Sequence, residues 1–322
     1  MSNSSIQNRK VTIVGAGSVG STFAYALAQS GFASEIVLTD YNNDLAEGQA
    51  LDLSHGLPFY PPVNIKSGDK NDYADSRVIV ITAGAKQHAG ETRLDLLKKN
   101  SEIMEGIIGE IVRSGSEAVL VIVSNPVDIL THIALKKSGW ESNRIIGSGT
   151  VLDSARFRLL LSQHCNIDAR NIHAYILGEH GDSEVAAWSM THLAGMKMDE
   201  FCSFCKICGN WEEEKLRIVS EVKNSAYHII DYKGSTYYGV GQAMLQIVGA
   251  VLRNERRVLT VSTFLNGEYG LEDVCLSVPC IIGEKGIERI IEANLPASEQ
   301  TALQHSGAVL KDALEALRKT NK

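Results

Sequence analysis

The sequence contains no apolar run that approaches the roughly 20 residues needed to cross a bilayer. Its first ten residues, MSNSSIQNRK, are polar and lack the apolar segment of a signal peptide. An excess of basic residues is also missing, since 38 Asp and Glu outnumber 31 Lys and Arg. These absences argue against a membrane span and against a broad surface for nucleic acid or anionic lipid. We therefore expect a cytoplasmic protein with neither a membrane nor a nucleic acid as partner.

An evident set of zinc ligands is missing as well. Three of the six cysteines, Cys202, Cys205 and Cys208, form a C-x-x-C-x-x-C run. A metal or cluster site there is conceivable, but zinc sites usually need a fourth ligand and none is obvious in the sequence. The alternative is a variable surface segment whose thiols happen to cluster, and on that interpretation we expect no metal. Without an export signal, the cysteines are expected to be reduced thiols.

The first half of the chain alternates short apolar runs with helical patterns. The runs are VTIV at 11–14, EIVL at 35–38, VIVIT at 78–82 and AVLVIVS at 118–124. Continuous Val and Ile runs are typical of parallel strands buried on both faces. Their alternation with helices predicts an α/β fold, a doubly wound parallel sheet of the Rossmann type.

The pattern changes near residue 148, and we expect a first domain over 1–148 and a second, α+β domain over 149–322. The 322 residues suit two coupled domains. In the second half the patterns predict a strand at 173–178, helices at 211–232 and 236–253, strands at 257–264 and 274–282 around an Asn266-Gly267 turn, and an amphipathic helix from Ser298.

Three glycines follow the first apolar run in the pattern G-A-G-S-V-G. Gly15 permits a tight turn, Gly17 lets the backbone approach a pyrophosphate, and Gly20 lets the next helix lie close to the strand. Asp40 ends the strand EIVLT, at the distance where an acid accepts hydrogen bonds from the adenosine ribose. Its carboxylate would repel a 2′-phosphate, and no Arg follows closely. This half is therefore predicted to bind NAD in preference to NADP.

The second half carries D-S-A-R at 153–156 and G-E-H-G-D at 178–182. Asp153 and Arg156 share one face of a predicted helix, which alone would suggest a surface ion pair. His180 lies where a predicted strand meets a loop, which alone would suggest a structural histidine. Together they form a candidate acid, anion-binding group and proton donor.

These motifs resemble the lactate/malate dehydrogenase family. The resemblance runs from about Lys10 to the C-terminal helix, through G-A-G-S-V-G, S-N-P-V-D at 124–128, L-D-S-A-R-F-R at 152–158, G-E-H-G-D-S at 178–183 and S-T-Y-Y-G at 235–239. It implies that protonated His180 donates to the substrate carbonyl and that Asp153 holds the imidazole. Arg156 would bind the substrate carboxylate through two parallel hydrogen bonds.

The resemblance also implies the remaining site residues. Arg93 lies in a mobile lid and polarises the carbonyl when the lid closes over the substrate. The substrate-binding residues it implies are Gln87, Arg93, Asn125, Asp128, Arg156 and Thr236. The cofactor-binding residues it implies are Gly15, Gly17, Val19, Gly20, Asp40, Gly84, Ala85, Val123, Ser124, Asn125 and Ser148.

Gln87 carries the prediction of substrate within the family. Malate dehydrogenases of this family have an Arg where this chain has Gln87, and a second carboxylate buried without a partner is unfavourable. A neutral Gln87, with Thr236 closing the pocket, favours pyruvate and lactate. Lys86 and His88 flank it and complicate this prediction. Malate, a bulkier 2-hydroxy acid and a non-catalytic NAD-binding protein remain the alternatives.

A second site is implied by Arg158 and His173. On a helix, Arg158 points away from Arg156, which lies two residues earlier. The pair matches the residues that bind fructose 1,6-bisphosphate across a subunit interface in allosteric bacterial members of the family. The resemblance thus implies this effector and a homotetramer, whereas an Arg and a His are also common on protein surfaces.

Overall fold

The structure of the protein is a computed structural model that describes residues 8–85, 90, 92–205 and 209–320, without the side chains of residues 204, 205 and 320. Its strands and longer helices are, in chain order, β1 Lys10–Val14, α1 Ser18–Ser30, β2 Glu35–Thr39, α2 Asn43–His55, β3 Asn64–Ser67, β4 Val78–Ile81, α3 Arg93–Arg113, β5 Val119–Ile122, α4 Val127–Ser138, β6 Ile145–Gly147, α5 Val151–Cys165, β7 Ile172–His173, β8 Ile176–Leu177, β9 Val185–Ala186, β10 His192–Leu193, β11 Met196–Lys197, α6 Met198–Cys205, α7 Trp211–Lys233, α8 Tyr238–Leu252, β12 Arg257–Asn266, β13 Glu272–Gly283, β14 Gly286–Ile290 and α9 Ala297–Thr320.

Six parallel strands form the centre of the molecule in the order β3-β2-β1-β4-β5-β6. The direction in which the chain adds strands reverses between β1 and β4. Ligands of doubly wound sheets bind outside the carboxyl ends of the strands at such a reversal. The predicted Rossmann-type fold is confirmed, and the sheet places the glycine turn after β1 at this point.

The central strands are buried on both faces, as their Val and Ile runs predict. Along β4, Val78 and Val80 pack into the core on the side of α1 and α8, whereas Ile79 and Ile81 pack against α3 and α4. Each fully buried aliphatic side chain of this size contributes roughly 1.5–3 kcal/mol. The packed side chains on the two faces of the sheet fix the positions of the strand ends, where the glycine turn lies.

The sheet continues into the second half of the chain. Strand β12 lies antiparallel to β6 with Ser262 opposite Gly147, and β13 and β14 extend the sheet to nine strands among the described residues. A β-carbon on Gly147 would overlap the side chain of Ser262, so the two halves meet here without space for one. The predicted pair of strands around Asn266-Gly267 is present, since β12 lies antiparallel to β13 and a 3₁₀ turn at Glu268–Gly270 connects them.

The segment 173–178, predicted as one strand, instead contains parts of two short strands that are separated by two residues. Strand β7 pairs with β10, while β8 pairs with β9, so the chain leaves one small sheet and enters another between His173 and Ile176. After β8, Gly178 exchanges two backbone hydrogen bonds of 2.9 Å with Ser277 on β13. This bridge fixes the loop that follows to the large sheet.

The long helices of the second half agree with the sequence patterns. Helix α7 ends at Gly234, whose φ of 84° is the left-handed conformation of a helix stop. Helix α9 buries one leucine face, formed by Leu303, Leu310, Leu314 and Leu317. Within the described ranges, none of the helices is both long and apolar enough to cross a membrane.

Candidate active site

Asp153 and His180 form a hydrogen-bonded pair at the junction of α5 and the loop after β8. Asp153 lies in the first turn of α5, with its side chain 3% exposed. His180 Nδ1 lies 2.5 Å from Asp153 Oδ2. Because the carboxylate accepts, Nδ1 carries the proton of this bond and Nε2 remains for a second partner. The imidazole is thus oriented to exchange a proton through Nε2.

The charge of Asp153 keeps His180 protonated at neutral pH. Burial lowers the pKa of His180, but the attraction and hydrogen bond of Asp153 outweigh it and raise the pKa to about 9. Burial also disfavours the ionised form of Asp153. The charges of His180 and Arg156 overcome this effect and hold the pKa of Asp153 below its ordinary value. The pair therefore persists as imidazolium and carboxylate.

Arg156 lies one turn after Asp153 on the same face of α5. Its Nη1 donates to Asp153 Oδ1 at 2.8 Å, and its side chain is 13% exposed. One bond to Asp153 leaves other N–H groups of the planar guanidinium available for an anion. A carboxylate bound there would lie beside the imidazolium of His180.

Asp128 fixes the backbone of His180 from the opposite side. It lies in the first turn of α4, and its Oδ2 accepts from the backbone N–H of His180 at 2.8 Å. The residue is 2% exposed, and its Oδ1 has no hydrogen-bond partner within the described part of the chain. Burial raises the pKa of Asp128 to about 6. The substrate contact predicted for Asp128 stays a prediction, and the contact that the structure describes is with the backbone of His180.

The remaining predicted substrate residues come from separate segments of the chain, except for one that lies outside the described residues. Arg93 begins α3 with its side chain 85% exposed, and its Nη1 lies 3.8 Å from Asp182 Oδ2. Asn125 is exposed at the end of β5, and Thr236 is half-buried between α7 and α8. Gln87 lies outside the described residues, together with the neighbouring Lys86 and His88.

The glycine turn after β1 provides the space that a dinucleotide needs. A β-carbon on Gly15 would lie 2.6 Å from the backbone nitrogen of Ala83, and one on Gly20 would overlap the carbonyl oxygen of Gly15. By contrast, no atom lies within 4 Å of a β-carbon placed on Gly17. Gly17 is the N-cap of the 13-residue helix α1, and no side chain caps the helix there. The N–H groups of its first turn are therefore available to phosphate. Val19, in the first turn of α1, is half-buried.

Asp40 lies beside the glycine turn at the end of β2. Its Oδ2 accepts from the backbone N–H of Ala16 at 2.7 Å, and its Oδ1 accepts from that of Asn42 at 3.0 Å. The carboxylate therefore braces the turn in addition to facing the crevice. An anionic group at this place fits ribose hydroxyls and opposes a 2′-phosphate.

The loops after β4 and β5 are tied together behind the crevice by a residue that sequence reasoning missed. Asn100 on α3 accepts from Ala85 N at 2.7 Å and donates to Asn125 O at 2.9 Å. Ser124 Oγ donates to Ala83 O at 2.5 Å. The other predicted residues of this edge are Gly84, Val123 and Ser148, the last two bonded through their backbone N–H groups to Ile81 O and Ile122 O. Asn100 stands on the buried face of α3, which is apolar apart from Asn100 and Ser101, and a polar residue on that face is a signal that the sequence contained.

Glu184 is a second residue that the motifs did not reveal. It is 7% exposed, and its Oε1 has no hydrogen-bond partner among the residues described. Burial, and then repulsion by Asp153, raise its pKa to about 8. A neutral carboxyl group thus lies close enough to the catalytic pair to respond to its charge.

The predicted effector residues lie on neighbouring elements, since α5 packs against β7. Arg158 Nε donates to Ser154 O at 3.2 Å, and burial lowers the pKa of Arg158. His173 is exposed on β7, opposite His192. Arg158 and His173 are therefore both distinct from the catalytic pair.

Comparison with known proteins identifies the family. Residues 9–147 match the lactate/malate dehydrogenase NAD binding domain, and residues 150–320 match the alpha/beta C-terminal domain of the same family. The chain belongs to the lactate/malate dehydrogenase family. The members of this family that it resembles include an L-lactate dehydrogenase of Treponema denticola, 64% identical over 95% of this chain and 98% of that protein. Another is the L-lactate dehydrogenase of Acetivibrio thermocellus, 53% identical over 96% of this chain and 97% of that protein.

Solved structures of lactate dehydrogenases share the fold. The minor L-lactate dehydrogenase of Enterococcus mundtii in its ligand-bound form superposes with a TM-score of 0.93 at 43% identity, over 96% of this chain and 98% of that one. The family's NAD binding domain and the open space at Gly17 both indicate NAD as the cofactor. The protein is an NAD-dependent 2-hydroxy-acid dehydrogenase, as predicted from its sequence.

Proposed function

We propose that the protein reversibly reduces pyruvate to L-lactate with NADH. The observation that carries this proposal is the charged Asp153–His180 pair with Arg156 on the same helix face. The two relatives named above, which are 64% and 53% identical to this chain, are L-lactate dehydrogenases. A 2-keto acid supplies the carboxylate that Arg156 binds and the carbonyl that His180 protonates.

The proposal accounts for each proton in the reaction. NADH, held at the glycine turn after β1, would supply the hydride for the carbonyl carbon of pyruvate, and negative charge would then develop on the carbonyl oxygen. His180 Nε2 donates its proton to that oxygen, so the product is the hydroxyl of lactate and a neutral imidazole. In the opposite direction, neutral His180 accepts the hydroxyl proton. Asp153 favours the charged form of His180, which is the form that reduction requires.

Cationic and polar groups hold the substrate for this transfer. Arg156 binds the carboxylate through two parallel hydrogen bonds, which fixes the carbonyl beside His180. Arg93, exposed at the start of α3, approaches the carbonyl oxygen when the preceding segment closes over the substrate. Asn125 orients the carbonyl and the nicotinamide ribose.

Gln87, supported by Thr236, sets the preference for pyruvate. A neutral side chain at 87 provides no charge for the second carboxylate of oxaloacetate, which would be buried without a partner. Malate and bulkier 2-hydroxy acids are the alternatives within the family, and a non-catalytic NAD-binding protein is the alternative outside it. The presence of Arg93, Asp153, Arg156 and His180 supports a catalytic protein.

Steady-state oxidation of NADH tests these alternatives. We expect kcat/KM for pyruvate to exceed that for oxaloacetate and for 2-ketoisocaproate by at least about 10²-fold, the scale of one unpaired buried group or one misfitted pocket. An equal or larger value for oxaloacetate would make the protein a malate dehydrogenase. Binding of NADH without turnover of any of the three would remove the catalytic proposal.

Fructose 1,6-bisphosphate is the proposed activator, bound by Arg158 and His173 together with the same residues of another subunit. An arginine and a histidine at an interface suit the phosphates of such an effector. We expect the effector to lower the KM for pyruvate, and the Arg158→Gln variant to lose that response while retaining turnover. Arg170→Gln, which changes an exposed arginine beyond the end of α5, is the control. A wild-type enzyme indifferent to millimolar effector would contradict the proposal.

The proposed assembly is a cytoplasmic homotetramer of two-domain subunits. Residues 1–148 form the NAD-binding domain and residues 149–322 the catalytic domain. Light scattering coupled to gel filtration should give four chains per particle, and the effector should stabilise that particle because its site spans subunits. A monomer that turns over pyruvate at full rate would contradict the assembly.

A further inference from the structure

Three side chains with metal-binding atoms meet where α5, α6 and α7 pack together. His164 and Cys165 are the last two residues of α5, and Cys202 lies on α6. One imidazole nitrogen and the two sulfurs all lie within 4.8 Å of one another. His164 follows Asp153 by about 16 Å along the helix, at 1.5 Å per residue. The cluster is therefore separate from the catalytic site.

The cluster is buried, and its atoms are those that thiophilic metals bind. Cys165 is 4% and Cys202 6% exposed, and the side chain of His164 is 6% exposed. The thioether of Met198 adds a further soft atom, 4.0 Å from Cys165 Sγ. Thiolates and imidazole are the donors that zinc and similar thiophilic cations prefer.

The surroundings of His164 point independently to a ligand. Its Nδ1 lies 3.1 Å from Glu214 Oε1, within ion-pair distance, while its Nε2 is buried with no hydrogen-bond partner in the described part of the protein. Buried polar atoms are nearly always satisfied, so Nε2 needs an explanation. A histidine that donates one N–H to a carboxylate and presents its other nitrogen is the usual form of a histidine metal ligand.

We propose that His164, Cys165 and Cys202 bind one thiophilic divalent cation of the zinc class. Three protein ligands are the number found in zinc sites that leave the fourth position to water or another molecule. The sequence showed only the run from Cys202 onwards. The structure brings two further ligands to it from the end of α5. The side chains of Cys205 and Cys208 lie outside the part of the chain that the structure describes, and the proposed site does not depend on them.

The nearby positive charge is compensated. Lys215 Nζ lies 5.5 Å from the ring centre of Trp211, whose ring lies 5.5 Å from that of His164. The same ammonium group is paired with Asp199 at 2.6 Å and Glu212 at 3.0 Å, so it opposes a bound cation only weakly. Trp211 is close enough to report metal binding through its fluorescence.

Metal titration of the full-length protein tests the site. The protein is reduced with a phosphine, stripped with a chelator and titrated with Zn²⁺ against a chromophoric chelator. Co²⁺ is used in parallel to reveal thiolate-to-metal absorption. We expect one ion per chain, quenching or shifting of tryptophan emission, and weaker binding at lower pH because thiolates must form. No binding to the wild type would overturn the proposal.

Variants identify the ligands. His164→Phe, Cys165→Ala and Cys202→Ala should each weaken binding more than about 10²-fold, and Glu214→Gln by about 10–100-fold, as the loss of an outer-shell partner does. Cys280→Ala removes a buried thiol elsewhere and should bind as the wild type does. Circular dichroism and NADH turnover of the metal-free variants show whether each variant folds. If a substitution at a buried ligand prevents folding, the Glu214→Gln variant still tests the site, because Glu214 is partly exposed. Undiminished binding in His164→Phe and Cys165→Ala would move the ion to the cysteine run and overturn the site.

Discussion

His180 Nδ1 lies 2.5 Å from Asp153 Oδ2, in a bond that selects which imidazole nitrogen faces the substrate. The same carboxylate raises the pKa of His180 to about 9 against the opposing effect of burial. One carboxylate therefore orients the imidazole of His180 and keeps it charged. Its removal should alter the pH dependence of the reaction more distinctly than any other single change.

Asp153→Asn should shift the pH profile of pyruvate reduction towards acid. Reduction needs protonated His180, so in the wild type kcat/KM falls as the pH rises through about 9. Without the Asp153 charge, burial is opposed only weakly and the pKa of His180 falls. At pH 8 we expect kcat/KM to be lower by about 10²-fold or more. An unchanged limb near pH 9 in stopped-flow or steady-state profiles would contradict this account, and Asp168→Asn on the surface is the control.

Arg156→Lys should weaken substrate binding without abolishing the fold. Lysine keeps the charge but cannot make two parallel hydrogen bonds to a carboxylate or hold the same bond to Asp153. We expect kcat/KM for pyruvate to fall by about 10²-fold, with NADH affinity unchanged. Arg170→Lys, which also alters an arginine paired with an aspartate, should leave the kinetics as they are. Equal losses in both variants would mean that Arg156 does not bind the substrate.

Gly17→Ala and Gly20→Ala should separate cofactor binding from folding. A β-carbon on Gly17 meets no protein atom within 4 Å, so stability should change by less than about 1 kcal/mol while the Kd for NADH rises at least tenfold. A β-carbon on Gly20 overlaps the carbonyl oxygen of Gly15 and should destabilise the protein by about 1–3 kcal/mol. Thermal unfolding and NADH fluorescence titration measure the two effects. A Gly17→Ala protein with wild-type NADH affinity would contradict the proposed pyrophosphate position.

Glu184→Gln should stabilise the protein at alkaline pH. Burial raises the pKa of Glu184 from 4.5 to about 8, so the folded state retains a proton that the unfolded chain releases between these values. The wild type therefore loses stability as the pH rises from about 4.5 to about 8, and the glutamine variant does not. At about 1.4 kcal/mol per pKa unit, we expect the difference in unfolding free energy to be on the order of 4 kcal/mol at pH 8. A difference in Tm that is constant from pH 5 to pH 8 would contradict it, and Glu102→Gln on the surface is the control.

The parts predictable from sequence are those whose signal is local. The Val and Ile runs predicted the parallel strands because burial on both faces imposes an apolar side chain at every position. The spacing of Asp153 and Arg156 placed them on one helix face, and the structure joins them at 2.8 Å. Asn100 was detectable as a polar residue on an apolar face, although no motif assigns it a partner.

Other features depend on contacts between distant segments. The segment 173–178 reads as one strand, but its ends pair with β10 and β9 respectively, and only the tertiary structure decides this. Strand β3 has the polar sequence NIKS and only one buried residue, so periodicity could not reveal it. Glu184 is buried by elements far along the chain, and His164 meets Cys202 only because α5, α6 and α7 converge.

The pairing of Gly147 with Ser262 has a consequence for exchanging halves between relatives. The family domains meet between residues 147 and 150, which looks like a natural crossover for recombination. At that place β6 and β12 belong to one sheet and fit without space for a β-carbon. A hybrid enzyme joined there would inherit two surfaces that had not adapted to each other. Exchanges that keep β6, β12 and β13 from the same parent should fold, whereas a hybrid divided at the crossover should show reduced yield and cooperativity.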